Sequence, residues 1–185
     1  PEAPEHLGKW NEQYARNETA FEKDEDYPTP RTFLGAIDWL RQNEGEDDWL
    51  LWVEAFDPHE PFDCPQEYVD LYEDTWTGPL YNWSGYEHVE EESDATEHLR
   101  KQYAACLTMT DKFFGKLIEE VERQGLLEDT VIILTTDHGH MLGEHGLTGK
   151  NAWHVWNEMA NIPLIVHVPG GKCAGERRPQ LTQNV

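Results

Sequence analysis

Apolar side chains recur along this chain with two different periods, and the change from one to the other marks its elements. Pro1 to Pro30 is polar and acidic with only Trp10, Tyr14 and Phe21 scattered through it, so residues 1–29 read as an irregular acidic lead-in. Thr29-Pro30 is a helix-start signal, and Phe33, Ala36, Ile37 and Leu40 follow at helical spacing, which predicts an amphipathic helix over 30–43, ended by Asn43-Glu44-Gly45. Leu99, Tyr103, Cys106, Thr110, Phe113 and Leu117 trace a second helical face, with Leu107, Phe114, Ile118 and Val121 beside it. A long helix is expected over about 95–124, stopping near Gly125.

Between and after these helices the pattern shortens to strand length. Trp49 to Phe56 is a nearly continuous apolar run that predicts a buried strand, broken by the two prolines of Asp57-Pro58-His59-Glu60-Pro61-Phe62. Thr130 to Thr136 and Asn161 to Val168 are β-branched runs of the same kind. Helix, strand, long helix, strand, strand is an α/β order. Runs this apolar predict a mostly parallel sheet with helices on both faces. Residues 63–95 mix Trp76, Tyr81, Trp83 and Tyr86 with Gly, Pro and Glu90-Glu91-Glu92, and read as a long, lid-like insertion. Their rings either line a pocket for a sugar or aryl group or fill core.

Charge narrows the range of partners. Fourteen Lys plus Arg stand against 37 Asp plus Glu, a formal net charge of −23, which repels nucleic acid and anionic membrane. An anionic substrate is repelled as well, so a site for one needs a bound cation and locally placed Lys or His. No apolar run approaches the roughly 20 residues that cross a bilayer. Cys64, Cys106 and Cys173 are too scattered for a disulfide framework or a zinc knuckle, and each reads as a small buried hydrophobe. The chain opens on Pro1 without Met and stops at Val185 without a turn or polar tail, so it reads as an incomplete fragment of a longer protein.

The chemistry concentrates in Thr135 to Lys150. Asp137-His138 directly follows a strand, and the carboxyl ends of strands are where open α/β sheets place ligands. Asp supplies a hard oxygen and His a nitrogen, so the pair could reach one divalent ion, with Gly139 and Gly143 allowing the tight path. Lys150 is, histidines apart, the only basic residue between Arg123 and Lys172, and a cation beside a metal can hold an oxyanion. His59, on another strand-end loop, could donate a hydrogen bond or proton to the same crevice. Each residue also has a plainer reading: Asp-His-Gly as a capping turn, Lys150 as a surface lysine, His59 as a loop histidine. A zinc site from His138, His140, His145 and His154 is a further alternative, though no cysteine is near.

Thr130 to Lys150, TVIILTTDHGHMLGEHGLTGK, resembles the second metal-binding motif of the sulfatase family, within the alkaline-phosphatase-like superfamily. Phe56-Asp57-Pro58-His59-Glu60-Pro61-Phe62 is similar to that family's Pro-His-x-Pro-Phe loop. The likeness continues through Tyr103-Ala104-Ala105, Asp111, Gly115 and Ile162-Pro163-Leu164, spanning about 30–185. It implies that Asp137 and His138 ligate a divalent metal, and that Lys150 and His59 bind the sulfate group of a small-molecule or carbohydrate sulfate ester and help the leaving oxygen. Calcium is the first expectation, while the nitrogen of His138 leaves manganese, magnesium and zinc open. The family's nucleophile, a formylglycine made within Cys/Ser-x-Pro-x-Arg, has no counterpart here. Cys64-Pro65-Gln66-Glu67-Tyr68 has its proline one place early and no arginine, and Cys173-Ala174-Gly175-Glu176-Arg177 has no proline. The isolated chain is therefore expected to be inactive. Two rivals stay open: a phosphonate monoester or phosphodiester hydrolase of the same superfamily, and a non-catalytic piece that binds an anion or a partner.

Overall fold

The computed structural model describes residues 6–9, 11–72, 75–150 and 154–182, so Trp10 and both chain ends lie outside the described residues. The lead-in is more ordered than its composition suggests. It carries a strand, β1 (His6–Gly8), and a helix, α1 (Glu12–Glu18), whose start is fixed by the Asn11 side chain accepting from the Tyr14 amide at 3.0 Å. The predicted first helix is α2 (Pro28–Gln42), begun two residues early because Pro28 and Pro30 fall in a first turn that needs no amide donors. Its apolar stripe, Phe33, Ala36, Ile37 and Leu40, is buried.

The run from Trp49 to Phe56 forms no β-ladder with any described residue, in contrast to the predicted strand. It is nevertheless extended. Trp49, Leu51, Val53 and Ala55 pack on the core while Leu50, Trp52 and Phe56 stand exposed, a period-2 alternation like that of a strand. The 63–95 stretch, expected as a lid-like loop, contains a helical turn, α3 (Gln66–Val69), and a strand, β2 (Leu80–Trp83), which pairs in parallel with β1. It buries Tyr68 and Tyr81, so those two rings serve as core.

The long helix is α4 (Asp94–Arg123). Ser93 caps it by accepting from the Thr96 amide, and Gly125, at φ +73°, takes the left-handed turn that ends it. Its buried face splits the core in two. Met109, Phe113, Leu117 and Val121 meet α2 and the extended segment, whereas Leu99 and Cys106 meet Phe62 and Tyr81. The second cluster holds the proline-rich loop against α4 and is the one that positions the site.

Strands β3 (Ile132–Thr135), β4 (Met141–Leu142) and β5 (Thr148–Gly149), helix α5 (Asn157–Ala160) and strand β6 (Leu164–His167) complete the chain. The runs at 130–136 and 161–168 do form strands, but β3 and β6 pair antiparallel, Ile132 opposite His167 and Thr135 opposite Leu164, and β4 and β5 are also antiparallel. A mostly parallel sheet with both faces covered is thus absent among the described residues. Apolar continuity reports burial and carries no information on direction, and here Ile133 and Ile165 are exposed. Cys64 and Cys106 are buried as expected, whereas Cys173 is exposed. No helix among the described residues is long and apolar enough to cross a membrane.

Candidate functional site

His59 is carried by the loop that leaves the extended segment. The Thr29 hydroxyl of α2 accepts from the Asp57 amide at 2.9 Å, and the Phe62 amide donates to the Asn82 carbonyl of β2 at 2.8 Å, so both ends of the loop are tied down. Phe62 is fully buried, edge-on to Tyr103 of α4. Within the loop the peptide bonds before Pro58 and Pro61 are cis. The His59 ring stacks on Phe56 with centroids 4.3 Å apart, and its Nδ1 donates to the Glu60 carbonyl at 2.6 Å. That bond fixes the tautomer and turns the Nε2 lone pair towards Lys150.

Lys150 follows β5 and is only 8% exposed, so the surface-lysine reading fails. Its ammonium donates to His59 Nε2 and, at 3.3 Å, to Glu60 Oε2. Backbone geometry brings it there: Gly149 has φ +92°, and a Cβ on it would lie 2.1 Å from the Tyr86 ring. Tyr86 in turn donates its hydroxyl to Glu60 Oε1 at 2.9 Å. Glu60 itself is 4% exposed. Burial raises its pKa, but its own amide, His140, the Tyr86 hydroxyl and His59 together hold the carboxyl below its ordinary value, so it is ionised at neutral pH.

His140, in the loop before β4, completes the cluster. Its Nδ1 lies 3.6 Å from Glu60 Oε2 and its ring meets Phe62 edge-on at 5.4 Å. Burial pushes its pKa down to about 4, with Lys150, His59 and His138 adding to the effect against the opposing pull of Glu60. The imidazole is neutral at pH 7, and its Nε2 has no hydrogen-bond partner among the described residues. His140, two residues on from His138, joins that residue's loop to the Glu60 cluster through its Nδ1 contact.

The other half is Asp137-His138, on the loop leaving β3. Gly139 lets this loop pass under α5: its amide donates to the Met159 carbonyl at 2.9 Å, and a Cβ there would sit 1.7 Å from the Glu158 carbonyl oxygen. His138 Nδ1 donates to the Gly139 carbonyl at 2.7 Å, and its Nε2 lies 3.4 Å from Asp137 Oδ2. Asp137 Oδ1 accepts from the His138 amide at 2.9 Å, and burial, which raises this carboxyl, is outweighed by that bond and by the His138 ring, so its pKa is lowered. Two donors each about 2.0–2.6 Å from one ion, roughly at right angles, stand about 3 Å apart. The pair therefore fits one divalent ion as two of its ligands. Among the described residues no three His, Cys, Asp or Glu side chains gather in a metal-binding group. The four-histidine zinc alternative thus finds no support: His145 stacks on Trp156 at 4.0 Å, and His154 meets the edge of the same ring.

His59 and Lys150, 91 residues apart, are brought into contact, and Asp137 and His138 face one solvent-open point. Glu60 is the participant that sequence reasoning passed over, while His140 entered only through the zinc alternative and Tyr86 only as one ring of the 63–95 stretch. Glu60 had one signal, its position between two prolines directly after His59.

A family model described as Sulfatase matches residues 5–185, taking in the lead-in as well as the region from about 30 onward. The uncharacterized sulfatase YidJ of Escherichia coli (strain K12) is 31% identical over 156 residues, covering 74% of this chain and 30% of that protein. The choline-sulfatase of Rhizobium meliloti (strain 1021) is 30% identical over 149 residues, covering 70% of this chain and 29% of that protein. Among solved structures, the phosphonate monoester hydrolase of Agrobacterium radiobacter superposes with a TM-score of 0.65 at 22% identity, over 82% of this chain and 34% of that one. At that identity the likeness speaks for the fold alone. The chain spans under a third of the length of these two curated relatives.

Proposed function

The chain belongs to the sulfatase family, and from that premise we propose that it is the metal- and anion-binding part of a longer sulfuric ester hydrolase whose nucleophile lies outside these residues. The observation that carries the proposal is the contact of the buried Lys150 with His59, with His140, two residues on from His138, against the same Glu60. In this reading Lys150 and His59 grip the sulfate group of a small-molecule or carbohydrate ester and supply hydrogen bonds to the leaving oxygen as charge builds there. His59 accepts from Lys150 through Nε2 in this arrangement, so it donates to the sulfate group or the leaving oxygen only after taking up a proton at that nitrogen. Asp137 and His138 hold a divalent ion, calcium by first expectation and manganese, magnesium or zinc as alternatives, with further ligands from elsewhere in the protein. When bound, such an ion supplies Lewis-acid stabilisation of negative charge on the transferred group.

None of the three thiols is a candidate nucleophile. Cys64 and Cys106 are buried, and burial pushes the Cys64 thiol up to about 12 and Cys106 higher still. Cys173 is exposed but lacks the family's proline and arginine spacing. The family's hydrated formylglycine would come from another segment. The exposed outer faces of Leu50, Trp52, Ile133 and Ile165 support a larger sheet in the whole protein, with further strands and helices against these.

A second reading, a phosphonate monoester hydrolase of the same superfamily, is compatible with the fold shared with such an enzyme. Parallel assay of the complete protein with an aryl sulfate and an aryl phosphonate monoester separates the two. The proposal requires the sulfate to be turned over with the higher kcat/KM, and the reverse order favours the second reading. Turnover of neither would make the chain part of a non-catalytic binder.

A further inference from the structure

Glu60 is the one residue that touches every other member of the anion-binding cluster. Its Oε2 receives the Lys150 ammonium at 3.3 Å and stands 3.3 Å from His59 Nδ1 and 3.6 Å from His140 Nδ1. Its Oε1 receives the Tyr86 hydroxyl at 2.9 Å, and its backbone carbonyl receives His59 Nδ1 at 2.6 Å. A carboxylate this deeply buried is a poor device for stability, since an apolar side chain of similar volume is commonly as good or better there. It is a good device for geometry. Lysine carries its charge on a flexible four-carbon stem and, left alone, turns it towards water. Glu60 holds that charge at one point, and Tyr86, braced against Gly149, holds Glu60.

Position also has an electrostatic consequence. A negative charge set directly behind the anion-binding cation offsets it, so the pocket attracts one negative charge well and a second one less well. Sulfate monoesters carry a single charge. Phosphate monoesters are largely doubly charged at neutral pH, their second pKa being about 6.

We propose that Glu60 is the positioning residue of this pocket, holding Lys150 and His59 on the substrate's anionic group and, by its own charge, favouring singly over doubly charged esters. The inference rests on the assignment of Lys150 and His59 to the sulfate group made above, and the test separates the two. In the complete protein, kcat and KM for an aryl sulfate and for the corresponding aryl phosphate are measured for Glu60→Gln, Glu60→Asp, Lys150→Ala and the Glu60→Gln/Lys150→Ala pair, each per folded molecule. Expected for Glu60→Gln is a kcat on aryl sulfate at least about tenfold lower, with KM changed less than about threefold. The phosphate-to-sulfate ratio of kcat/KM should rise on the order of tenfold. Glu60→Asp should recover part of the rate and most of the discrimination. On the Lys150→Ala background the same Glu60→Gln change should cost less than about threefold, because its effect runs through Lys150. A merely structural Glu60 would leave the ratio unmoved and would add its loss to that of Lys150→Ala.

If Lys150→Ala loses activity while Glu60→Gln keeps its rate and its ratio, the inference is overturned and the site assignment stands. If Lys150→Ala itself is neutral, the assignment falls and the inference with it. Should Glu60→Gln fail to fold, Tyr86→Phe tests the same chain of contacts, since it frees Glu60 Oε1 but keeps the charge. A lower kcat with the ratio unchanged is expected, and an unchanged kcat overturns the inference.

Discussion

Phe62→Ala probes the junction between core and site. Phe62 is fully buried and packs with Leu99, Cys106, Tyr81 and Tyr103, with the edge of His140 against its ring. An aromatic side chain of this kind removes about 150–250 Å² from water, and at about 25 cal/mol per Å² the part lost on truncation to Ala is worth about 3 kcal/mol. The cavity left behind adds to this, since α4 and β2 are held by their own hydrogen bonds and cannot close fully, bringing the total to about 3–5 kcal/mol. The loss should also reach the chemistry. The residue preceding Phe62 joins it to Glu60, and the ring is one wall around His140, so the fraction that stays folded should turn over sulfate ester more slowly. Urea denaturation of the complete protein, followed by intrinsic fluorescence and by residual activity, measures both. Phe62→Leu, which keeps most of the volume, should cost clearly less. A loss below about 1 kcal/mol for Phe62→Ala with unchanged kcat would refute the view that this cluster carries the site.

Other substitutions test neighbouring links. Lys150→Met removes the cation beside a buried carboxylate, and its stability cost, about 3 kcal/mol where a buried pair is broken, should shrink in the Glu60→Gln/Lys150→Met pair; equal melting temperatures for the single and double variants would contradict the pairing. Gly149→Ala places a Cβ on the Tyr86 ring at positive φ, so activity should fall at least about tenfold, and a fully active, equally stable variant would show that the Tyr86 brace is dispensable. Burial and the charge of Asp63 raise Glu18 to about 8, while burial, then Asp63, raise Asp57 to about 6 against the opposing Thr29 and His59 contacts. Both groups bind protons more tightly folded than unfolded, so their contribution to stability is fully present below about pH 4 and is lost as pH rises towards about 8. Glu18→Gln should flatten that slope in urea titrations across this range, and an unchanged slope would remove Glu18 as its source.

The two long helices were legible because each buries one stripe at a 3.6-residue period, and α2 and α4 begin and end within two residues of the expected bounds. The runs at 130–136 and 161–168 were legible as strands, but nothing in an apolar run encodes direction, and β3 and β6 pair antiparallel. Trp49 to Phe56 alternates between core and exposed faces, yet strand identity requires a partner that no described residue provides. The site was legible unevenly. Asp137 and His138 are adjacent in sequence, so their meeting needed no fold. His59 and Lys150 meet across 91 residues, which motif resemblance could anticipate and periodicity could not. The place of Glu60 between two prolines marked it only weakly among 37 acidic residues. Only the burial of its side chain under Tyr86 and Lys150 sets it apart.

Metal binding at Asp137 and His138 is the claim from which the functional account hangs. Metal-free complete protein titrated with calcium, and in parallel with manganese, magnesium and zinc, should take up one divalent ion per chain in isothermal calorimetry. Asp137→Ala/His138→Ala should weaken that uptake at least about tenfold while leaving the circular dichroism spectrum unchanged. Undiminished uptake by the double variant, or none by the parent, would contradict it.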